Sequence, residues 1–267
     1  MIMAADSTAA AGTLENRPVL PPLLLINGYA ATGADWDPTF LAELGRSHRV
    51  ISPDNRGVGS SPLGDDELTV DLMALDLERL LDAEGIDRLP VVGWSMGGFV
   101  AQALARRAPG RVTALALLDT DPGGREAIPA TPEVWARLTD HSGTPREQAA
   151  RLITLLFPPP LAAEIDRRFG ELVAAAREQL AAAALIAQEG AMEAWHRDDP
   201  GPAPDPAPPV MVLHGTEDVV IPPRNAGALA ALWAGARVEL FEGCGHALMA
   251  QEPQRVAAAI RDHVSVS

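Results

Sequence analysis

The chain has 267 residues, 47% of them hydrophobic, with a formal net charge of −15 and a basic complement made wholly of arginine, since no lysine occurs. That length suits one enlarged core or a core with an inserted subdomain, and the acidic surface repels phosphate backbones and anionic membranes, so no nucleic-acid or membrane partner is expected. The missing lysine excludes Schiff-base chemistry, and the single cysteine, Cys244, leaves no internal disulfide and no zinc cluster.

Residues 1–16 lack the basic leader and apolar stretch of a secretory signal and are expected to form a flexible tail on a soluble, cytoplasmic protein. Short apolar runs at 23–26, 49–52, 90–92, 112–118, 210–213 and 237–241 are predicted strands. Helical patterns alternate with them, which predicts an α/β fold: a mostly parallel sheet of about six or seven strands covered by helices on both faces. Asp54 and Arg56 in PDNRG are expected to pair locally and hold a loop. Residues 69–83 read as an amphipathic helix with Val70, Met73, Leu77, Leu80 and Leu81 on one side, stopped at Gly85. The segment VVGWSMGGFV, residues 91–100, ends a strand and opens a helix predicted over 97–108.

Between 122 and 205 no strand pattern appears, and the helical pieces include TPREQAARLITLLF and ELVAAAREQLAAAALIAQEGAMEAW. This segment is predicted to be a helical cap inserted into a core made of residues 17–121 and 206–267. Proline-rich DDPGPAPDPAPP, residues 198–209, leads back to the next strand. The cap's apolar residues imply an apolar substrate pocket.

Gly93-x-Ser95-x-Gly97 would arise by chance in roughly one chain in fifteen of this composition, so its setting must decide its meaning. A strand, a tight turn and a helix are what a nucleophile elbow requires, with glycines where side chains would collide with the neighbouring strand and helix. The competing dinucleotide-binding turn needs Gly-x-Gly-x-x-Gly after the first strand, whereas the spacing here is Gly-x-x-x-Gly-Gly. A serine hydroxyl becomes a useful nucleophile only when a histidine takes its proton and a carboxylate orients that histidine. LHGTEDVVIPP offers Asp218 just past one predicted strand, and EGCGHALMAQEP offers His246 just past the next. Both lie at carboxyl ends of strands, where parallel sheets present their chemistry.

With these residues in place, the chain resembles the α/β-hydrolase superfamily, in the branch with a helical cap. LLLINGYAATGADWDP, ISPDNRGVGSSP, VVGWSMGGFVAQALARRAPGRV, VMVLHGTEDVVIPP and FEGCGHALMAQEPQRVAAAI carry the resemblance, in order, through nearly the whole chain. It implies Ser95 as nucleophile, His246 as general base and then acid, and Asp218 as the orienting carboxylate. It further implies an oxyanion hole from the backbone N–H groups of Tyr29 and Met96, with Gly28, Tyr29 and Trp94 at the substrate. No cofactor or metal is expected. Asn27-Gly28 stands where His-Gly is usual, and few residues precede it, so the customary first hairpin is expected to be shortened or absent.

The implied activity is hydrolysis of a carboxylic ester, lactone or thioester through an acyl-enzyme. Alternatives are a cofactor-free haloperoxidase or perhydrolase, or a biosynthetic cyclase or ligand-binding protein reusing the cleft. Trp94 replaces the asparagine that carbon–carbon bond hydrolases carry before the serine. Asp119 and Asp121 are rival triad acids after the strand ending at 118. His214, at a buried strand end, reads as structural, and His48, His141, His196 and His263 as surface or packing residues. Arg146, Arg151, Arg167, Arg168 and Arg177 could form a patch for an acidic acyl-carrier protein, but interspersed acidic residues dilute it to a solvated mixed-charge face.

Overall fold

A computed structural model describes residues 20–265. Six strands form one sheet: β1 (Pro22–Ile26), β2 (Arg49–Ile51), β3 (Leu89–Trp94), β4 (Val112–Leu118), β5 (Val210–Gly215) and β6 (Arg237–Phe241). All neighbours are parallel, in the order β2-β1-β3-β4-β5-β6. No strand precedes β1 among the described residues, and the expected tail at 1–16 lies outside them.

The helices, in chain order, are α1 (Pro38–Leu44), α2 (Val70–Ala83), α3 (Met96–Arg107), α4 (Pro132–Leu138), α5 (Pro145–Leu156), α6 (Pro159–Glu178), α7 (Ala182–Arg197), α8 (Asn225–Leu232), α9 (Leu248–Gln251) and α10 (Pro253–Ser265). None is long and apolar enough to cross a membrane among the described residues. Helices α4 to α7 all fall between β4 and β5, and α5 packs chiefly on α6.

Successive strand side chains point to opposite faces, and the core divides accordingly. Leu24, Ile26, Val91, Leu115, Leu117 and Val212 pack with α2, α3 and α8. Leu23, Leu25, Val92, Ala116, Leu118, Met211 and Leu213 pack with α1, α9 and α10. Strands buried on both faces cannot alternate polar and apolar residues, which is why the central ones read as unbroken apolar runs. Edge strands β2 and β6 are shorter or partly exposed and carry Arg49, Arg237 and Glu239.

Helix α2 starts where the Thr69 hydroxyl accepts the Leu72 N–H at 3.0 Å. It ends on Gly85, whose φ of +64° suits the left-handed position, while Ile86 N–H reaches Leu81 O and Gly85 N–H reaches Asp82 O. Asp54 and Arg56 do not pair with each other. Arg56 makes a two-pronged contact at 2.7 Å with Asp76 on α2, while Asp54 accepts the N–H groups of Gly33 and Ser60. Residues two apart in a turn face different ways, and each side chain finds its partner on another element.

The turn between β3 and α3 leaves no room for side chains at its glycines. A Cβ on Gly97 would lie 2.1 Å from the Ile26 carbonyl oxygen, and one on Gly93 would lie 2.4 Å from Gly97 O. These obstacles are main chain and cannot turn aside. Gly97→Ala is expected to destabilise the fold by at least the ~1–3 kcal/mol of an overpacked core. In the interior of α7, a Cβ on Gly190 meets nothing within 4 Å, so Gly190→Ala is expected to raise stability by about 0.4–1 kcal/mol. Paired thermal melts check both, and equal melting temperatures would refute the steric account.

Candidate active site

With β2 and β3 on opposite sides of β1, the strand order reverses there, and the crevice outside the carboxyl ends of such strands is where open α/β sheets bind ligands. Asn27 to Tyr29 leave β1 at this point, and Ser95 leaves β3. Ser95 stands between β3 and α3 with φ +55° and ψ −125°, a strained conformation for a residue bearing a side chain. Three bonds over-determine it: Ser95 N–H to Leu118 O at 2.9 Å, and the Thr120 hydroxyl and Gly98 N–H to Ser95 O, each at 2.8 Å.

The structure brings Ser95, His246 and Asp218 together although 151 and 28 residues separate the successive pairs. His246 Nε2 lies 2.9 Å from Ser95 Oγ, and His246 Nδ1 lies 2.7 Å from Asp218 Oδ2. An ionised carboxylate only accepts, so Nδ1 carries the imidazole proton and Nε2 is left to accept from the serine hydroxyl. The other Asp218 oxygen accepts the N–H groups of Val220 at 2.8 Å and Ile221 at 2.9 Å. Burial alone would push this carboxyl up, but the His246 charge and the hydrogen bonds from His214 and His246 outweigh it and hold the group below its ordinary value.

His246 is held from behind by Trp94, whose indole N–H donates to the His246 carbonyl at 2.8 Å. Its loop is tied to the helical segment by Ala247 N–H, which donates to Leu156 O at 3.2 Å. His214 donates from Nε2 to Ile221 O at 2.8 Å and lies 3.4 Å from Asp218, supporting the carboxylate rather than facing the serine.

The rival acids go elsewhere. Asp119 accepts Gly215 N–H at 2.9 Å and Leu248 N–H at 3.4 Å, tying β5 to the loop after His246. Burial first, and the Asp218 charge second, push its carboxyl well above the ordinary value. Asp121 accepts from Gly123 N–H, Trp195 Nε1 and His196 Nε2. Asp119, His214 and Asp218 place ligand atoms within 4.8 Å of one another. His214 Nε2, the nitrogen that faces the two carboxylates, and both Asp218 oxygens are already committed to hydrogen bonds, so the cluster reads as internal support rather than a metal cradle. Cys244 is buried, and that burial, with Glu252 next, pushes its thiol up to about 11, which leaves it inert.

Met96 is the first residue of α3 and wholly buried. Its N–H belongs to a first helical turn, whose donors have no intrahelical acceptor and form the positive end of the dipole. Gly28 lies against Trp94 and Ser95, where a Cβ would sit 3.0 Å from the indole and 3.3 Å from Ser95 Cβ. Tyr29 follows, and its hydroxyl donates to Glu189 on α7. Burial, and then that bond, push the phenol above its ordinary value, so it stays protonated across the neutral range. Ala30, at φ +56°, donates its N–H to Gln188 Oε1 at 2.9 Å, and Gln188 Nε2 donates to Arg56 O at 3.2 Å.

A cavity of about 1220 Å³ opens over Ser95 and His246, with Trp94, Phe99, Trp135, Ile153, Phe169 and Met192 among its lining residues. One side of its wall comes from α4 to α7, and the other from the loops after β1 and β3 and the loop that carries His246. Two histidines read from sequence as surface or packing residues have acidic partners at this wall or beside it: His196 meets Asp121 at 2.9 Å, and His141 lies 2.7 Å from Glu189. Gln188, Glu189 and the Asp121–His196 pair were not found by sequence reasoning, because each acts across 48 to 160 residues. One signal existed: α7 buries Ala184, Leu185, Gln188, Ala191, Met192 and Trp195, and Gln188 is the polar member of that helical stripe.

A protein-family model described as the alpha/beta hydrolase fold matches residues 21–253. The 2-hydroxymuconate semialdehyde hydrolase of Pseudomonas sp. (strain CF600) is 28% identical over 257 residues, spanning 91% of this chain and 87% of that protein. The pimeloyl-[acyl-carrier protein] methyl ester esterase of Aromatoleum aromaticum is 29% identical over 255 residues, spanning 91% and 98%. Among solved structures, the enol-lactonase from Burkholderia xenovorans LB400 superposes with a TM-score of 0.74 at 25% identity, covering 92% of each chain.

Proposed function

The chain belongs to the α/β-hydrolase fold family, and from that premise we propose that it is a serine hydrolase cleaving a carboxylic ester or lactone through an acyl-enzyme. The observation that carries this reading is the Ser95–His246–Asp218 relay, with its 2.9 and 2.7 Å contacts, whose serine and histidine line one cavity. Ser95 Oγ attacks the carbonyl carbon as its proton passes to His246 Nε2. The oxyanion is stabilised by the N–H groups of Met96 and Tyr29, and Asp218 balances the imidazolium. Collapse expels the leaving oxygen, which takes the proton from His246. Water then attacks the acyl group, giving a proton to the same nitrogen, and release of the acid returns that proton to Ser95.

Helices α4 to α7 serve as a cap that selects the acyl group, and their apolar wall favours substrates with hydrocarbon parts. Relatives named as a methyl ester esterase and an enol-lactonase support the oxygen-ester class. The relative named as a semialdehyde hydrolase is similar over most of the chain, but Trp94 occupies the position before the serine and is turned to His246. Turnover of p-nitrophenyl esters of graded length, beside lactones, thioesters and a peracid-formation assay, tests the reading. Ser95-dependent ester or lactone cleavage supports it, and Ser95-dependent peracid formation without ester cleavage would overturn it.

Gln188 is expected to be a positioning residue for the oxyanion loop, since it is wholly buried and its carbonyl oxygen holds Ala30 N–H beside Tyr29. Losing one oxyanion donor costs about 10²–10³ in kcat, so Gln188→Leu, which loosens the loop without deleting the donor, is expected to lower kcat about tenfold with little change in KM. Gln188→Glu, which keeps the acceptor, is expected to retain more activity. Equal kcat in all three proteins would remove Gln188 from the mechanism.

A further inference from the structure

Of the five arginines that sequence reasoning places on one mixed-charge face, four behave as surface residues or pair with acids. Arg146 meets Asp166 and Glu171, Arg151 meets Asp140, Arg168 meets Glu164, and Arg167 is exposed. Arg177 differs. It is 9% exposed, sits near the end of α6 and lines the same cavity as Ser95. Its Nε is buried without a hydrogen-bond partner, and none of the ion pairs formed by the described residues includes it.

The surroundings of Arg177 leave its charge under-used. Its guanidinium reaches the Tyr29 hydroxyl oxygen, and Glu189 attracts it from further off while Arg151 repels it. Glu189 Oε1 is already taken by the Tyr29 hydroxyl and lies 2.7 Å from His141 Nε2. Burial comes first among the influences and pulls the group below its ordinary value, yet an arginine in a protein keeps its proton. A desolvated cation without a carboxylate partner costs free energy that a ligand anion can recover. The neighbouring wall is apolar at Phe169, Val173 and Met192.

We propose that Arg177 is a specificity residue that binds a free carboxylate on the substrate, so that the natural substrate is an ester or lactone whose far end is an acid. This rests on the ester-hydrolase reading above and narrows it. A carboxylate matches the planar guanidinium fork two-prongedly, whereas a neutral ester end cannot repay the desolvation. The hydrocarbon between the two ends lies against the apolar wall, and the scissile carbonyl lies at Ser95.

The test compares monomethyl with dimethyl esters of glutaric, adipic and pimelic acids, in wild type, Arg177→Met and Arg177→Lys, with circular dichroism and thermal melts checking the fold. In the wild type, the best monomethyl ester is expected to exceed its dimethyl partner at least about tenfold in kcat/KM, the value of one good charged contact. In Arg177→Met that preference is expected to vanish, chiefly through a rise in KM for the monomethyl esters relative to their dimethyl partners. Arg177→Lys is expected to recover part of it. A wild type that cleaves the neutral diesters as well or better, or an Arg177→Met protein that loses equally on both series, would overturn the proposal.

Calorimetric binding of the same monomethyl esters to Ser95→Ala separates this from the parent reading. Binding that Arg177→Met abolishes in that background supports the carboxylate site even if no ester is cleaved, and absence of binding there, with no wild-type preference, overturns it. If Arg177→Met does not fold, the wild-type preference and the Arg177→Lys protein decide.

Discussion

Ser95→Ala is expected to reduce kcat on the order of 10⁶-fold, the loss seen when a serine nucleophile is removed from such a relay, while the fold and substrate binding persist. The side chain lost is one oxygen in a site that is 7% exposed. The backbone bonds that hold the turn, Ser95 N–H to Leu118 O and the Thr120 hydroxyl to Ser95 O, involve no side-chain atom of the serine. Alanine is at least as small at the positive φ, so stability is expected to change by less than about 1 kcal/mol. Residual turnover above the water rate would come from the backbone donors and binding alone. Circular dichroism and steady-state kinetics on the best substrate check both halves, and near-normal turnover in a folded Ser95→Ala protein would refute the assignment.

The second large effect is expected from Asp218→Asn, and here the hydrogen bonds fix the direction of failure. Asp218 Oδ1 accepts two main-chain N–H groups, from Val220 and Ile221. An asparagine must turn its carbonyl oxygen to those donors, which points its NH₂ at His246 Nδ1. That nitrogen can then only accept, the imidazole proton moves to Nε2, and the serine loses its base. Adopting this wrong tautomer costs about 10⁴ in kcat with the geometry otherwise kept. KM is expected to change little, because Asp218 lies behind the histidine and away from the cavity wall. A fall in kcat of less than about tenfold would mean that Asp218 does not set the tautomer, and Asp119 would then need testing in its place.

How far such effects could be foreseen differs from one part of the molecule to another. Strands β3, β4 and β5 are buried on both faces, so each left an unbroken apolar run, and residues just after their carboxyl ends drew attention for a physical reason. Ser95 and Asp218 were legible in this way, and His246 because a glycine-marked loop carries it just past the next predicted strand, β6. Helix α2 was legible through its stripe and its glycine stop, where the structure adds the Leu81–Ile86 bond that closes it.

What could not be read was side-chain partnership across the chain. Arg56 and Asp54 stand two residues apart and suggested a local pair, yet the guanidinium reaches Asp76 on α2 and the carboxylate serves two loop N–H groups. His196 looked solitary because Asp121 lies 75 residues away. Arg177 shares its helix with Arg167 and Arg168 but faces the interior, and helical spacing alone does not say which face a neighbouring loop will cover. The edge strand β2, three residues long, carried only a weak pattern, since an edge has one buried side and few residues with which to show it.

The central claim is that His246 and Asp218 make the Ser95 hydroxyl a nucleophile. Labelling with a fluorophosphonate, followed by peptide mass spectrometry, tests it without knowledge of the substrate. One phosphonyl group per chain is expected on Ser95, none in Ser95→Ala, and much slower labelling in Asp218→Asn. A folded wild-type protein that takes no label at Ser95, or takes it on another residue at the same rate in all three proteins, would contradict the claim.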